Sequence, residues 1–281
     1  MSAPPDRFRG RVLIVAGSDS GGGAGIQADI KTVTALGGYA TTAITALTAQ
    51  NTLGVEAVFG VDPAFIRRQM AVVLDDLGAD AIKTGMLHTA PVIEAVAAEL
   101  AARGRGIPLV VDPVMVAESG ATLLDPAAVG ALNRDLLVRA TLLTPNLPEA
   151  EKLTGMAIAD LEAMREAAAM LRTLGPEAVL LKGGHLAGET IHDVLATEAG
   201  LEVFTGSRLA ALGSHGTGCT LASAIACGLA QGLGLRDAVA RARAYLREAI
   251  RTAPGFGRGH GPVNHGHTVG AFPVPEESRS G

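Results

Sequence analysis

Gly216-Thr217-Gly218-Cys219-Thr220 runs into Leu221-Ala222-Ser223-Ala224-Ile225-Ala226-Cys227-Gly228-Leu229, a stretch of small and apolar residues that reads as a closely packed helix entered from a glycine turn. A helix beginning here leaves the backbone N–H groups of residues 216 to 219 without helical partners, and such groups form an anion site. The same partial charge favours the thiolate of Cys219, because a free thiol pKa of about 8.5 falls at helix N-termini. One turn could then hold a phosphate and supply a base. The residues also fit a plainer reading, a glycine turn that lets a helix pack closely with Cys219 as a small buried hydrophobe.

Working outward, short β-branched runs alternate with longer alanine- and leucine-rich segments, the pattern of a mostly parallel sheet with helices on both faces. Strands are predicted over residues 12–16, 40–47, 81–83, 109–111, 141–143, 178–181, 191–196 and 202–205. Helices are predicted near 25–36, 63–77, 89–103, 125–136, 147–153 and 160–174, with two more, 218–231 and 235–252, following one another without a strand. Pro63 and Pro91 suit helix starts and Asp160 suits an N-cap. No linker, repeat or low-complexity stretch divides the chain, which predicts a single domain over 1–281 with an ordered core of about 11–267 and flexible ends.

The composition narrows the function. With 48% hydrophobic residues the 281-residue chain can bury a substantial core. Its 23 Lys and Arg are scattered and its net charge is −5, so a nucleic-acid or membrane-surface partner has no electrostatic footprint. Tryptophan is absent and aromatics are 3%, which disfavours a base-stacking platform. Cys219 and Cys227 lie too far apart on one helix to bridge, as suits a reducing compartment. No segment reads as a signal peptide or a span of about 18 apolar residues, and a cytoplasmic location is expected.

In sheets of this kind ligands sit beyond the carboxyl ends of the strands. Six predicted strands run into polar or glycine-rich segments there: Gly17 to Gly25, Thr48 to Thr52, Thr84 to Leu87, Asp112 to Met115, Thr144 to Glu149, and Lys182 to His185. Gly23-x-Gly25-x-x-Ala28 resembles a dinucleotide loop, but the acidic residue about twenty positions on is missing. A Walker loop is excluded, since no Gly-Lys-Ser/Thr follows a glycine run. Asp112, Asn146 and Glu149 offer oxygen ligands of the sort that hold Mg²⁺ through water and phosphate, while Asn146-x-x-Glu149 equally fits a capping box. Lys182 could reach nucleotide phosphates or merely be solvated. Gln50 carries both donor and acceptor, as an aminopyrimidine edge requires. His260, His265 and His267 match no zinc spacing, and His88, His185, His192 and His215 read as ordinary polar residues, with His215 placed to touch a phosphate at the anion turn. No serine stands in a nucleophile elbow, which disfavours a hydrolase.

With these residues in view, the chain resembles the bifunctional hydroxymethylpyrimidine/phosphomethylpyrimidine kinases of thiamine biosynthesis, in the ribokinase-like superfamily. The resemblance spans about residues 12–265 and is carried by Ala16 to Asp29, Ala49 to Thr52, Gly85 to Leu87, Asp112 to Met115, Thr144 to Glu151, Lys182 to His185, His215 to Thr220 and Gly261 to His265. It implies a three-layer α/β/α fold, ATP and Mg²⁺, a small pyrimidine substrate, no nucleic acid or membrane, and a homodimer. It further implies that Gln50, Gly17, Ala24, Met86 and Asp29 bind the pyrimidine and that Cys219 takes the proton from its hydroxymethyl group. Gly216 and Gly218 would form the anion hole, Lys182, Asn146 and Thr217 would hold the nucleotide, and Asp112 and Glu149 would order Mg²⁺. Two positions depart from the family pattern: Glu118 stands where lysine is common, and Ala121 where an acid is common. A pyridoxal or pyridoxine kinase is the nearest rival, and a non-catalytic sensor on the same scaffold is the rival from another class.

Overall fold

Val12, Ile14 and Ala16 point to one side of strand β1 (Arg11–Asp19) while Leu13 and Val15 point to the other, and all five are buried. A strand apolar on both faces must lie inside a sheet covered twice. The computed structural model describes residues 9–117, 120–209 and 213–271. Its elements run β1, α1 (Gly25–Ala35), β2 (Tyr39–Asn51), β3 (Gly54–Gly60), α2 (Pro63–Asp76), β4 (Ala81–Thr84), α3 (Ala90–Arg103) and β5 (Leu109–Val111). Next come the single turn α4 (Val129–Ala131), then β6 (Leu142–Leu143), α5 (Leu147–Thr154), α6 (Leu161–Arg172), β7 (Val179–Lys182), β8 (Thr190–Thr197) and β9 (Gly200–Ser207). The chain finishes with β10 (Gly213–His215), α7 (Thr217–Ala230), α8 (Leu235–Arg251) and β11 (Gly261–Pro262).

Nine strands form one sheet in the order β3-β2-β1-β4-β5-β6-β7-β8-β9. The six from β2 to β7 are parallel, and β3, β8 and β9 add antiparallel hairpins at the two edges. One core lies between the sheet and α2, α3, α5 and α6, through Ile66, Met70, Ile93, Val96, Leu147, Met164 and Leu171. The other lies beneath α1, α7 and α8, through Ile26, Val33, Leu221, Ile225, Val239 and Tyr245. This is the expected three-layer α/β/α arrangement. The parallel strands all deliver their carboxyl ends to the same edge of the sheet.

Besides the short unread strands β10 and β11, which exist only through their pairing with each other, the structure departs from the predicted elements in two places. Strand β3 goes unread because its Gly54-Val-Glu-Ala-Val-Phe-Gly60 stretch carries almost no buried residue, being an edge strand held by its hairpin with β2. Consequently Gln50, expected on a loop, sits on the extended end of β2 opposite Val55. The helix predicted over 125–136 breaks into short 3₁₀, α and π turns. Ala131, Leu132, Leu136 and Leu137 all face inward, a spacing of five that suits the wider π turn rather than a 3.6 repeat. Asp160 caps α6 through Ala163 N, and Pro63 and Pro91 fall in the first turns of α2 and α3, as their chemistry predicts.

The segment after α8 straps the fold together. Gly261 and Pro262 pair with Gly213 and His215, Asn264 N donates to Ala249 O, and Thr268, expected in a flexible end, donates to Ala35 O. At the other end, also expected to be flexible, Arg9 N donates to Gly37 O and Gly10 O accepts from Tyr39 N, while residues 1–8 and 272–281 and the departure at Glu118 lie outside the described residues. His265 is buried with Nε2 3.1 Å from Thr220 Oγ1, in the first turn of α7. Thr220 Oγ1 donates to Gly216 O, so it accepts from a neutral His265. Burial, aided by the charges of Lys31, His215 and His267, pushes His265 down to about 4. Between that value and the ordinary histidine value of about 6.5 the unfolded chain binds the extra proton, so this contribution is complete above pH 6.5 and lost as pH falls through 4. Urea unfolding across this window is expected to show a loss on the order of 3 kcal/mol from this one group, and His265→Asn is expected to flatten that part of the pH dependence.

Candidate active site

The carboxyl ends of β1, β2, β4, β5 and β7, with the first turns of α5 and α7, line one cleft of about 1050 Å³. Its first wall is the loop after β1. The β1 register slips between Ala16 and Ser18, freeing Gly17 from the ladder, and Asp19 then folds back on its own loop. The Asp19 carboxylate accepts from Gly21 N (2.8 Å), Gly23 N (3.0 Å) and Ala24 N (2.8 Å), and from His215 Nε2 at 2.9 Å. Burial pushes this carboxyl up, but His215 and the Ala24 and Gly21 amides outweigh it and hold Asp19 below the usual carboxylate range. The amides of the glycine run therefore serve an internal carboxylate. Asp19 escapes sequence reading because an aspartate before glycines looks like any turn residue.

The second wall is the turn into α7. Gly216 adopts φ +80°, and a Cβ there would lie 1.9 Å from Gly23 O. The two glycine loops therefore meet backbone to backbone. Gly218 faces the opposite way, where a Cβ would lie 3.3 Å from Lys182 Nζ and 3.6 Å from Asp112 Oδ2. The start of α7 thus spans the cleft from the β1 loop to the charged cluster.

That cluster sits at the ends of β5, β6 and β7. Lys182 Nζ and Thr144 Oγ1 each donate to Asp112 Oδ1 at 3.2 Å. The Asn146–Glu149 capping box is present, with Glu149 N on Asn146 Oδ1 (2.9 Å) and Asn146 N on Glu149 Oε2 (2.8 Å). Both readings of this motif hold at once, since the cap carries Glu149 into the cleft. Burial, and next to it the charge of Asp112, push Glu149 up to about 7 against the pull of Lys182. Lys182 lies above its ordinary range, since Asp112 and Glu149 outweigh the effect of burial. Two buried carboxylates facing one ammonium leave surplus negative charge. That suits a divalent cation whose remaining ligands are water and phosphate oxygens. Among the described residues no group of three or more His, Cys, Asp or Glu is gathered as a metal cage.

At the other end, Gln50, Gly17, Ala24 and Met86 line the cleft together. Met86 packs with Ala46 and Leu123, and its Sδ lies 3.0 Å from where a Gly17 Cβ would be. Cys219 and Thr217 lie between the two ends. All the expected site residues line this cleft except Asp29. The Asp29 carboxylate is fully buried beneath it, taken up by Lys83 Nζ (2.9 and 3.0 Å) and Ser223 Oγ (2.6 Å). Its helical register turns it into the sheet, so it cannot touch a ligand in the cleft.

The thiol also departs from expectation. Burial pushes Cys219 up to about 12, and Lys83 lowers it only in part, with Asp29 and Asp112 opposing. The helix-end field is real, but desolvation in this cleft is larger. His215, expected at a phosphate, instead bonds Asp19 and lies near Gln50. Sequence reading also passes over Lys83, hidden in a buried strand, and the third arm of the cleft. There Arg243 bonds Asp193 (2.7 Å) and Arg247 bonds Ser207, beside Thr205 and Ile250. The one-turn spacing of Arg243 and Arg247 on α8 is the signal that could have marked that arm.

Residues 19–264 match the family model of phosphomethylpyrimidine kinase. The chain belongs to the phosphomethylpyrimidine kinase family. Among its relatives is the thiamine biosynthesis bifunctional protein ThiED of Geobacter sulfurreducens, 57% identical over 92% of this chain. The chain spans about half of that protein, 52% of its length. The hydroxymethylpyrimidine/phosphomethylpyrimidine kinase of Rhizobium meliloti is 50% identical over 91% of this chain and 96% of its own. Similar solved structures include an ADP complex of Bacillus subtilis pyridoxal kinase, with TM-score 0.85, 36% identity and coverage of 92% and 97% of the two chains. Phosphomethylpyrimidine kinase from Clostridium difficile 630 gives TM-score 0.76 and 41% identity, covering 85% and 99%. Family membership makes the chain a phosphotransferase.

The elevated thiol has a direct readout. Iodoacetamide at pH 8 is expected to alkylate the Cys219 peptide, followed by mass, roughly a thousandfold more slowly than a free thiol of pKa about 8.5. Alkylation at the free-thiol rate would contradict the desolvated site.

Proposed function

We propose that this enzyme transfers the γ-phosphoryl group of ATP to the hydroxymethyl oxygen of 4-amino-5-hydroxymethyl-2-methylpyrimidine, and then phosphorylates the monophosphate to the diphosphate. The observation that carries the proposal is that one cleft joins the Gln50–Met86 pocket, the Gly216–Cys219 turn and the Asp112–Glu149–Lys182 cluster. A pyrimidine alcohol, an in-line acceptor path and the polyphosphate of a nucleotide each find a complementary wall. Relatives named for this activity over nearly their full length support the substrate class.

In-line phosphoryl transfer asks the protein for positioning, charge neutralisation and a proton acceptor. In this reading Gln50 orients the pyrimidine and Cys219 accepts the alcohol proton as the oxygen attacks phosphorus. At about 12 the thiol rests protonated, so the acceptor is its minor thiolate form, which the Lys83 ammonium favours, and taking the alcohol proton returns the sulfur to the neutral thiol. The N–H groups of the Gly216–Gly218 turn take the equatorial oxygens, and losing one such donor typically costs about 10²–10³ in rate. Lys182 steadies the nucleotide phosphates with Asn146 and Thr217. Asp112 and Glu149 would hold Mg²⁺, which when bound supplies charge neutralisation to the transferring group. The arm lined by Thr205, Arg247 and Ile250 is left for the nucleoside.

Pyridoxal phosphorylation is the second reading, favoured by the TM-scores of 0.85 and 0.84 to pyridoxal kinases of Bacillus subtilis and Staphylococcus aureus. A coupled ATP assay with hydroxymethylpyrimidine, its monophosphate and pyridoxal separates the two. Turnover of both pyrimidines is expected, and strong preference for pyridoxal would overturn the proposal. Cys219→Ala is expected to lower kcat by about 10²–10⁴ while nucleotide binding persists, and an unchanged kcat would remove the base assignment.

A further inference from the structure

His215 Nε2 lies 2.9 Å from Asp19 Oδ2 and 3.2 Å from Gln50 Nε2. The other amide end, Gln50 Oε1, lies 3.0 Å from Thr48 Oγ1, which is also 3.0 Å from Ser18 O. Asp19, already accepting from three backbone N–H groups, is an ionised acceptor, so His215 Nε2 must carry the hydrogen between them. A nitrogen that donates has no lone pair for Gln50 Nε2, and two donors 3.2 Å apart repel. A half-turn of the Gln50 amide removes the conflict. Its oxygen then faces the His215 N–H, its nitrogen donates to Thr48 Oγ1, and the Thr48 hydrogen goes to Ser18 O. Every group from Asp19 to Ser18 then meets a complementary partner, the one His215 Nε2 hydrogen being shared between Asp19 Oδ2 and the Gln50 carbonyl.

The imidazole is held firmly enough to impose this choice. Its ring lies against Gly23, where a Cβ would come within 2.5 Å of His215 Cδ2. Its backbone is paired with Pro262 across the β10–β11 bridge. The side chain is only 13% exposed.

We infer that His215, fixed by Asp19, is a positioning residue that sets which end of the Gln50 amide is the carbonyl, and thereby the direction in which an aminopyrimidine edge is read. This rests on the pyrimidine activity proposed above. An aminopyrimidine offers an amino donor beside a ring-nitrogen acceptor. A carbonyl on the His215 side takes the amino group there and leaves the ring nitrogen to the amide N–H on the Thr48 side. In the proposed substrate the hydroxymethyl group is on the carbon next to the amino-bearing one. The same direction therefore turns the alcohol toward the turn that begins at His215 and ends at Cys219, and the opposite direction turns it away. Pyridoxal has no amino group beside its ring nitrogen, so the arrangement also selects between the two substrate classes.

The test compares wild type, His215→Leu and His215→Gln on the aminopyrimidine and on its analogue lacking the amino group, 5-hydroxymethyl-2-methylpyrimidine. Wild type is expected to prefer the amino compound by about 10- to 100-fold in kcat/KM. His215→Leu is expected to cut that preference about tenfold, mainly through KM, and His215→Gln, which returns a donor near the Nε2 position, to restore most of it. Equal losses on both compounds, as from a merely structural residue, would overturn the inference. Long-range ¹H–¹⁵N spectra of the wild-type enzyme test it without any variant: His215 must be protonated at Nε2, and a bare Nε2 would overturn it. Absence of turnover on either pyrimidine by wild type would refute the proposed activity, with the protonation of His215 still readable.

Discussion

Gly216 presses against the carbonyl of Gly23 so closely that even a methyl group has no room between them. Everything in the cleft depends on that approach. It brings the start of α7 over the loop that leaves β1, so that a turn from the C-terminal third of the chain shares a wall with the first strand. The approach is possible because neither residue carries a side chain and because φ +80° at Gly216 is cheap only for glycine. Asp19 and His215 then bolt the two loops together, and the strap after α8 holds the turn from behind through Pro262 and His265.

The same region shows how charge is distributed when a sheet end is closed off from water. Lys83 and Asp29 form the ion pair of the described residues with no exposure on either side, and Ser223 ties it to the face of α7 that also carries Cys219 one turn earlier. A pair of this sort adds little net stability compared with apolar residues, but leaving either partner alone would be costly. Its value here is electrostatic: a fixed ammonium beneath a desolvated thiol, at a distance from the Lys182 ammonium that faces Asp112. The site keeps one positive charge beneath the thiol and another against Asp112.

Much of the fold was legible because periodicity reports burial. The unbroken apolar run of β1 declared a strand covered on both faces, the stripes of α2, α3, α6 and α8 declared which face each helix hides, and the strand-end clusters marked the edge where a ligand would lie. Strand β3 was not legible, since an exposed edge strand has no face to declare and owes its form to pairing with β2. The irregular turns before β6 were missed for a related reason: a spacing of five inward residues has no place in a helix-or-strand reading. In the site, residue types and their place after strands pointed to Gln50, Asp112, Glu149, Lys182 and Cys219, all of which line the cleft.

By itself the sequence determined the layered α/β architecture, the cleft edge, the glycines that permit close approach and the family to which the chain belongs. Local propensity and burial patterns act within a few residues, and that is enough for the architecture, the cleft edge and the glycines, while the family is carried by the order of whole motifs along the chain. Only the tertiary structure decided that Asp29 serves Lys83 rather than a ligand, that the Asp19 carboxylate consumes the amides of its own loop, and that His215 answers to Asp19 beside Gln50. It also decided the state of the Cys219 thiol, where desolvation overrode the helix-end field. These outcomes depend on which groups from distant strands meet and on how much water remains among them, and neither quantity is written in any local run of residues.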